Sequence, residues 1–278
     1  MSEREPEGAA ADDLGFAAET IDTSRPHPAR MYDYYLGGRD NYEVDREAAQ
    51  RVIDFLPDII PAARANRDFL ERAVRHLTES GIRQIIDIGT GIPTSPNTHE
   101  IAHSVSPDIR VAYVDNDPIV ATHAGARLTG SGGNTGFFLG DVRKPETILE
   151  HPTLGELIDF EQPVALMLVA VLHFIKDEED PAGIVAALRD ALPAGSHLVL
   201  SHATADFHAS SLPEVFKVYR NATATLNTRT YDEVLAFFDG FELLDPGLVQ
   251  VPLWRPTAPP DPDAVKRIGF YGAVARKA

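Results

Sequence analysis

The sequence predicts an α/β protein with a mostly parallel sheet, and two observations support this fold class. From residue 82 onward, short β-rich runs alternate with helical segments, an order typical of parallel strands that are joined by helices. In addition, the first three runs carry an acid at or near their ends, at Asp87, Asp115 and Asp141. Ligands bind at the carboxyl edge of a parallel sheet, so these acids predict a binding site there.

The chain divides into three regions by pattern. Residues 1–20 are rich in Glu, Asp, Ala and Gly without an apolar period, which predicts a disordered tail. Residues 21–80 have a helical pattern that is broken at Gly37-Gly38, and we expect an N-terminal helical cap there. Residues 81–278 contain the alternating pattern and form the predicted ligand-binding domain.

The third region contains the predicted strands and most of the predicted helices. The strands are at 83–88, 110–115, 136–140, 164–171 and 196–202. The helices are near 98–105, 118–128, 181–192 and 231–239. The stretch from Pro163 to Leu172 is continuously apolar, as expected for a central strand that is covered on both faces.

A glycine turn, Gly89-Thr90-Gly91, follows the first strand. Glycine has no Cβ atom, so the backbone can turn sharply and its N–H groups can approach a ligand closely. A dinucleotide-binding turn has another glycine three residues after the second one, but Thr94 is at that position here. Asp87 would lie badly beside a pyrophosphate and suits a cationic ligand such as a sulfonium. The pattern therefore favours S-adenosylmethionine over NAD, with Asp87 and the three turn residues as binding residues.

Asp115 ends the second strand, at the position where a doubly wound fold holds a carboxylate against ribose hydroxyls. We therefore predict that Asp115 binds the ribose of the cofactor. The nearby Asp117 precedes Pro118, and this order predicts a helix N-cap rather than a ligand-binding residue.

Segments from most of the chain resemble class I S-adenosylmethionine-dependent methyltransferases. The similar segments are RPHPARMYDYYLGGRDNYEVDR, IRQIIDIGTGIPTSPN, YVDNDP, GDVR, LVAVLHFI and LSHAT. The chain is most similar to a bacterial subgroup of largely uncharacterised function, and more weakly similar to enzymes of the leucine carboxyl methyltransferase type. The resemblance runs from about Ile21 to Arg276, and Pro93 departs from it because the family usually has a glycine there.

The resemblance implies a Rossmann-like class I methyltransferase sheet that is mostly parallel. It also implies an antiparallel strand pair at the end of the sheet, formed by residues 241–251 and 268–276. Within this fold, Asn116 is expected beside the adenosine, and Asp141 and the Val142 backbone are expected at the adenine edge.

His173 follows the fourth strand, where the resemblance implies residues that face the reactive methyl group. A histidine there could take a proton from a substrate oxygen or nitrogen, which makes His173 the candidate catalytic residue. Alternatively, His173 packs beside the cofactor and only shapes the pocket. His202, at the end of the fifth strand, has the same two interpretations.

The cap contains candidates that could close over the methionine part of the cofactor. These residues are Arg30, Tyr32, Tyr42 and Arg67. An arginine can pair with the methionine carboxylate, and an aromatic ring can contact the sulfonium. The alternative is that these side chains belong to a solvated amphipathic cap without a role in binding.

Three other functions remain open from the sequence alone. The segment His99-Glu100-Ile101-Ala102-His103 spells H-E-x-x-H, which on a helix binds zinc in metallopeptidases. No G-x-x-H extension follows it, and we predict no metal site. The other two alternatives are an NAD(P)-dependent oxidoreductase and a non-catalytic protein that binds S-adenosylmethionine.

The composition of the chain limits the classes of partner and the cellular location that we expect. The formal net charge of −17 argues against a nucleic-acid backbone as a partner. The absence of cysteine excludes disulfides and fits a reducing cytoplasm. No apolar stretch approaches the ~20 residues of a membrane span. We expect a cytoplasmic enzyme that methylates a small molecule, while the acceptor and the oligomeric state are not predicted.

Overall fold

The computed structural model describes residues 22–128 and 133–278, so the predicted tail at 1–20 lies outside the described residues. The helices are α1 (Pro28–Tyr35), α2 (Glu43–Phe55), α3 (Ile59–Glu79), α4 (Thr98–Val105), α5 (Pro118–Leu128), α6 (Pro145–Leu149), α7 (Pro152–Leu157), α8 (Pro181–Ala191), α9 (Leu212–Tyr219), α10 (Tyr231–Leu235) and α11 (Pro262–Val265). The strands are β1 (Gln84–Ile88), β2 (Arg110–Asp115), β3 (Thr135–Leu139), β4 (Ala165–Val169), β5 (His197–Ala203), β6 (Phe241–Leu243), β7 (Val249–Gln250) and β8 (Phe270–Lys277). None of the described helices combines the length and apolar character that a membrane crossing requires.

The strands form one sheet with the order β3-β2-β1-β4-β5-β8-β6, in which β7 also pairs with β8. Strands β1 to β5 pair in parallel, and β8 pairs antiparallel with β5, β6 and β7. The predicted fold class, Rossmann-like and mostly parallel with an antiparallel end, is confirmed. The chain runs from β1 to β2 on one side and from β4 to β5 on the other, and β1 and β4 are neighbours in the sheet. The carboxyl ends of β1 and β4 therefore form a topological switch point. Such a point is where open α/β sheets bind ligands.

Two predicted strands differ from the observed ones. The predicted strand at 164–171 ends at Val169, because Ala170 has a φ of 60°, in the left-handed region that a strand does not contain. The predicted strand at 241–251 is divided into β6 and β7. Pro246 lies between these two short strands, and its lack of an N–H group prevents a continuous ladder there.

Both faces of the sheet are covered, which explains why the central strands are apolar throughout. On one face, the strands pack with α6, α7 and α8 through residues that include Ile86, Val114, Leu166, Leu200, Ile148, Leu154 and Leu188. On the other face, they pack with α3 through residues that include Ile85, Val111, Met167, Val199, Phe69 and Leu77. The helix at the end of the cap, α3, buries the apolar side chains of Phe69, Ala73, Val74 and Leu77.

A third apolar cluster joins the cap to α9. The cluster includes Met31 and Tyr35 of α1, Val52 of α2, and Val215 and Tyr219 of α9. Two hydrogen bonds to backbone carbonyls strengthen the junction. The Thr223 N–H donates to the Pro26 carbonyl at 2.9 Å, and the Arg25 guanidinium donates to the Ala222 carbonyl. The cap and α9 therefore form one packed layer over the carboxyl edge of the sheet.

Trp254 anchors the segment between β7 and α11 on α3. Its ring is fully buried and meets the Phe69 ring edge-on at a centroid distance of 5.5 Å. Replacing Trp254 by alanine removes this packing and should lower the free energy of unfolding by about 3–5 kcal/mol. Circular dichroism during chemical denaturation measures the change.

Leu253→Ala is the matched control for this substitution. Leu253 is the preceding residue and is 41% exposed, so its truncation should change the free energy of unfolding by less than about 0.5 kcal/mol. Equal stability of the two variants would contradict the anchoring role of Trp254.

Candidate active site

A cavity of about 480 Å³ lies between the cap and the carboxyl edge of the sheet. This volume is within the range of about 300–1,000 Å³ that is usual for small-molecule sites. The residues predicted from the sequence that line it are Asp87, Gly89, Thr90, Gly91, Asp115, Asn116, Asp141, Val142, Arg67 and His173, with the cap candidates Arg30 and Tyr32. Tyr42 is outside this lining: its side chain is 41% exposed, and the Arg30 guanidinium lies 5.5 Å from its ring centroid. The fold thus gathers all the predicted binding residues except Tyr42.

The glycine turn requires glycine for two separate reasons. Gly89 and Gly91 have φ values of 72° and 66°, in the left-handed region that other residues avoid. A Cβ atom on Gly89 would also lie 2.3 Å from Val171 Cγ2, whereas one on Gly91 would meet open space. The Gly89 N–H donates to the Val114 carbonyl at 2.7 Å, which ties the turn to β2.

The Asp115 carboxylate is buried at the end of β2 and accepts two backbone hydrogen bonds. The Gly91 N–H donates to Oδ2 at 2.8 Å, and the Asp117 N–H donates to Oδ1 at 2.9 Å. Burial raises the pKa of Asp115 to about 6, because the charged form loses its hydration, and the backbone hydrogen bonds limit this rise. Asp115 is therefore a charged acceptor at neutral pH that loses its charge in mild acid.

The Asp87 carboxylate lies beside one hydroxyl group of the glycine turn and one at the start of α4. Thr98 Oγ1 donates to Asp87 Oδ2 at 2.6 Å, and Thr90 Oγ1 lies 3.5 Å from the same oxygen. Burial raises the pKa of Asp87, although the Thr98 hydrogen bond and the positive charge of Arg67 act in the opposite direction. Thr98 was not predicted as a site residue, because only the fold turns the start of α4 back toward β1.

Arg67 and Tyr32 of the cap are held by hydrogen bonds inside the protein. Arg67 Nη2 donates to the carbonyls of Thr94 and Pro96, at 2.9 and 2.8 Å. The Tyr32 hydroxyl accepts from Asn66 Nδ2 at 3.0 Å. Arg67 therefore holds the loop that follows the glycine turn. Its own side chain also lines the cavity.

Asp141 forms a forked ion pair with Arg143, a partner not predicted from the sequence. Arg143 Nε donates to Oδ1 at 2.8 Å, and Nη2 donates to Oδ2 at 2.7 Å. Burial alone would raise the pKa of Asp141, but the side-chain and backbone hydrogen bonds from Arg143 outweigh it and lower the pKa. Val142 is buried beside this pair, and Asn116 is exposed at the end of the neighbouring strand.

His173 lies in a 3₁₀ turn after β4 and is almost fully buried at the cavity wall. The Ala203 N–H donates to His173 Nδ1 at 3.3 Å, so the neutral ring carries its proton on Nε2. Burial lowers the pKa of His173 well below its ordinary value, and the nearby His202 and Arg229 lower it further. The ring is therefore neutral at physiological pH, with an N–H group rather than a lone pair left for the cavity.

His202 lies outside the cavity lining, behind the turn that carries His173. Its Nδ1 donates to a backbone carbonyl at 2.7 Å, and Arg229 Nη1 donates to its Nε2 at 2.9 Å. Burial lowers the pKa of His202 to about 3. Because Arg229 also donates to the carbonyls of Leu172 and Ile175, each at 3.0 Å, this buried pair holds the turn in place.

Asp117 caps α5, as predicted, because the Ile119 N–H donates to its Oδ1 at 3.0 Å. Its other oxygen faces the cap, at 3.1 Å from His27 Nδ1 and 3.6 Å from Arg30 Nε. The Arg30 guanidinium is buried and also lies 3.5 Å from an Asp45 oxygen. Arg30 therefore connects the cap to the end of β2 beside Asp115.

The H-E-x-x-H segment lies on α4, and its side chains have partners within the protein. His99 Nδ1 is 2.8 Å from the Tyr113 hydroxyl, and His103 Nε2 donates to the Ile109 carbonyl at 2.8 Å. Glu100 accepts from a backbone N–H at the start of its own helix at 2.6 Å. Within the part of the chain that the structure describes, no group of three metal-binding side chains occurs.

Comparison with known proteins identifies relatives along nearly the whole chain. Residues 15–278 match the model of a family described as S-adenosyl methyltransferase. A solved DUF574 family protein from Streptomyces avermitilis is 45% identical with a TM-score of 0.87, over 93% of this chain and 100% of that chain. A provisionally assigned methyltransferase from Thermobifida fusca is 42% identical with a TM-score of 0.85, over 92% and 96% of the two chains.

A more distant structure shares the fold only. An O-methyltransferase family protein from Burkholderia thailandensis is 13% identical with a TM-score of 0.53, over 88% of this chain and 64% of that chain. No match was found among curated proteins.

The two glycines of the turn differ in a way that substitution can measure. Gly91→Ala forces alanine into a left-handed backbone and should lower the free energy of unfolding by about 1–2 kcal/mol. Gly89→Ala carries the same backbone cost and adds the contact with Val171, so it should be the more destabilising of the two. Chemical denaturation of both variants gives the comparison.

A double variant separates the contact from the backbone cost. Gly89→Ala combined with Val171→Ala should be less destabilised than the sum of the two single changes, because the second change makes room for the new Cβ atom. Strict additivity would show that the contact contributes nothing.

Proposed function

Since the chain belongs to the S-adenosyl methyltransferase family and is an S-adenosylmethionine-dependent methyltransferase, we propose that the cavity is its active site and that it methylates a small molecule. The observation that carries the proposal is the convergence of Asp87, the glycine turn and the buried Asp115 on one cavity at the switch point of the sheet. The cysteine-free sequence supports a cytoplasmic location.

The chemistry of the lining fits this cofactor. Asp115 supplies a charged acceptor for the two ribose hydroxyls, and Asn116 lies next to it in the chain. Asp141 and Val142 follow β3 and suit the adenine edge, where a carboxylate can accept from the amino group. Asp87 beside the glycine turn suits the cationic end of the methionine part, and none of these roles needs a metal.

Methyl transfer depends on alignment more than on acid–base chemistry. The bound cofactor supplies a methyl group that its sulfonium already makes reactive. The residues of the chain then have to hold the nucleophile in line with that carbon and exclude water. The cap and α9 supply this enclosure, with Tyr35, Phe174 and Tyr219 in the cavity wall, and His173 is the side chain we assign to the reacting centre.

The enclosure also supports a small acceptor. The cap and α9 are packed together over the cavity, and Asp58 of the cap lies 3.5 Å from Arg267, just before β8. Both of these residues line the cavity, so a folded macromolecule would have to displace the cap to reach the reacting centre. The net charge of −17 further disfavours a nucleic-acid substrate.

No observation on the described residues favours the oxidoreductase alternative. A pyrophosphate would meet the buried carboxylates of Asp87 and Asp115 at the glycine turn, where like charges repel. The H-E-x-x-H segment gives no support to the peptidase, because its imidazoles are engaged by Tyr113 and Ile109.

Asp115→Ala should weaken binding of S-adenosylmethionine at least ~10-fold, because hydrogen bonds to a charged group contribute ~1.5–3 kcal/mol each. Calorimetric titration measures the affinity. In the unchanged protein the affinity should also fall about tenfold between pH 7 and pH 5, since the pKa of Asp115 is about 6 and protonation removes the charged acceptor. The Asp115→Ala variant should lose this pH dependence.

Asp108→Ala is the matched control, because Asp108 is exposed at the opposite end of β2. It should bind S-adenosylmethionine as the unchanged protein does at every pH. Unaltered affinity of the Asp115→Ala variant, or binding of NAD in preference to S-adenosylmethionine, would refute the assignment of the cofactor to this edge of the sheet.

The size of the acceptor can be tested without knowing its identity. The protein is incubated with S-adenosylmethionine that carries a labelled methyl group and with an extract of a bacterium that encodes it, and the mixture is separated by size. We expect label in the small-molecule fraction, with the Asp115→Ala variant as the background. Label held in protein or nucleic acid would contradict a small acceptor.

A further inference from the structure

We propose that the methyl acceptor is a flat, largely apolar molecule that presents a phenolic or enolic hydroxyl as its anion, and that His173 holds this oxygen by donating a hydrogen bond. The inference rests on the proposed function, because it assumes that the cofactor lies at the Asp115 edge of the same cavity. It concerns the part of the cavity between β4, the cap and α9, which we call the acceptor chamber. The wall of this chamber includes His173, Phe174, Tyr219, Phe270 and Tyr35.

The rings of the acceptor chamber form a continuous aromatic row. The His173 ring lies 5.7 Å from that of Phe270 and 4.4 Å from that of Phe174, and Phe174 lies 5.9 Å from Tyr219. The Tyr219 hydroxyl meets the Tyr35 hydroxyl at 3.4 Å. Further lining is aliphatic, from Leu56, Ile59, Leu212, Val215 and Leu226. A planar apolar molecule gains most from such a wall, through area burial and ring contacts.

The polar groups of this aromatic row, on His173, Tyr35 and Tyr219, can donate hydrogen bonds. The lone pair of His173 Nδ1 accepts from the Ala203 N–H, so Nε2 carries the proton. The hydroxyls of Tyr35 and Tyr219 carry two protons, and their mutual hydrogen bond uses one of them. Burial raises the pKa of Tyr219 to about 12 and raises that of Tyr35 well above its ordinary value, so both stay protonated. Such groups recognise an oxygen acceptor rather than an amine.

The carboxylates of the described lining already have partners in the protein. Among them, Asp22 accepts from the Ser24 N–H at 2.8 Å, Asp33 accepts from Asn41 Nδ2 at 2.7 Å, Asp117 lies 3.1 Å from His27 Nδ1, and Asp141 accepts from Arg143 Nη2 at 2.7 Å. Asp58, the carboxylate contributed by the start of α3, is paired with Arg267 at 3.5 Å. Asp87 and Asp115 belong to the cofactor end of the cavity and accept from Thr98 and Gly91. An ammonium group would therefore find no carboxylate without a partner in the described lining. A hydroxyl that needs a strong base would likewise find no unpartnered carboxylate to take its proton, so we expect the nucleophile to arrive already ionised.

The proposed step balances without a base in the complex. The hydroxyl proton leaves to solvent before the acceptor binds, and the anionic oxygen then forms a bond to the methyl carbon. The carbon–sulfur bond breaks with its electron pair going to sulfur. The products are a methyl ether and S-adenosylhomocysteine, and the positive charge of the sulfonium and the negative charge of the oxygen disappear together. His173 donates through Nε2 throughout and does not change its protonation state.

Nitrophenols test the inference, because their anions absorb visible light and their neutral forms do not. The protein is first saturated with sinefungin, an unreactive cofactor analogue with a cationic amine in place of the sulfonium. It is then titrated with 4-nitrophenol and with the larger 4-nitro-1-naphthol, and with benzylamine as the cationic comparator. We expect at least one nitrophenol to bind as its anion, with its half-ionisation pH lowered by about one pH unit, a tenfold preference for the anion. Benzylamine should not compete.

Two substitutions at one position distinguish a donor from a packing residue or a base. Glutamine can accept from the Ala203 N–H and still donate to the chamber, so His173→Gln should keep most of the preference for the anion. His173→Phe keeps an aromatic ring but has no N–H group, and should lose that preference and about tenfold in affinity. A packing role predicts the reverse order, and a base role predicts that both changes abolish ionisation of the bound phenol, because neither glutamine nor phenylalanine can take its proton. His151→Asn, at a remote helix cap, should behave as the unchanged protein.

The outcomes separate this inference from the proposed function. If sinefungin does not bind, or binds equally well to the Asp115→Ala variant, the cofactor assignment is wrong. The inference about the acceptor, which depends on it, is then wrong as well. If sinefungin binds as expected but both nitrophenols fail to bind, bind only as neutral phenols, or are displaced by benzylamine, the acceptor class is wrong and the cofactor site stands. Preserved thermal stability of both His173 variants ensures that a loss reports on the chamber.

Discussion

The arrangement of the site depends on one buried carboxylate, that of Asp115. It connects the glycine turn after β1 to the start of α5, because Gly91 and Asp117 both donate their backbone N–H groups to it. Removing a carboxylate from water costs free energy, which the raised pKa of Asp115 reports, and the two amides offset part of that cost. We propose that the same charge binds the ribose hydroxyls of the cofactor, so the carboxylate that is costly to bury is also the one assigned to the ligand.

The cap lines the cavity because α3 connects it to the sheet. The first turns of α3 pack with the cap through Ala63, and its later turns pack on the sheet through Phe69 and Leu77. Arg30 adds a polar contact from the cap to Asp117, two residues after Asp115. One layer of helices therefore covers both the cofactor edge and the acceptor chamber, and the enclosure that methyl transfer requires comes from the fold itself.

Local signals predicted well which strand-end residues line the cavity, and they predicted the remaining contacts of the cavity poorly. Gly89, Asp115 and Asp141 could be found because each ends a strand, and parallel strands bring their ends to one edge. Thr98, Arg143 and Asn66 could not, because their partners are set by turn geometry or lie across the fold. Tyr42 looked like a cap residue that closes over the cofactor, but the start of α2 points it toward solvent. The donor role proposed for His173 could not be predicted either, because it depends on the Ala203 N–H, which belongs to another strand.

By itself, the sequence determined the alternation of strands and helices, the position of the glycine turn and the three acids at strand ends, because these follow from local periodicity and backbone preference. Only the tertiary structure decided where Ala170 ends β4, which nitrogen of His173 carries the proton, and how the cap and α9 enclose the acceptor chamber. These features arise from contacts between segments that are distant in the chain, and no local pattern encodes such contacts. The cofactor can therefore be inferred from the sequence, whereas the class of acceptor can be inferred only from the folded chain.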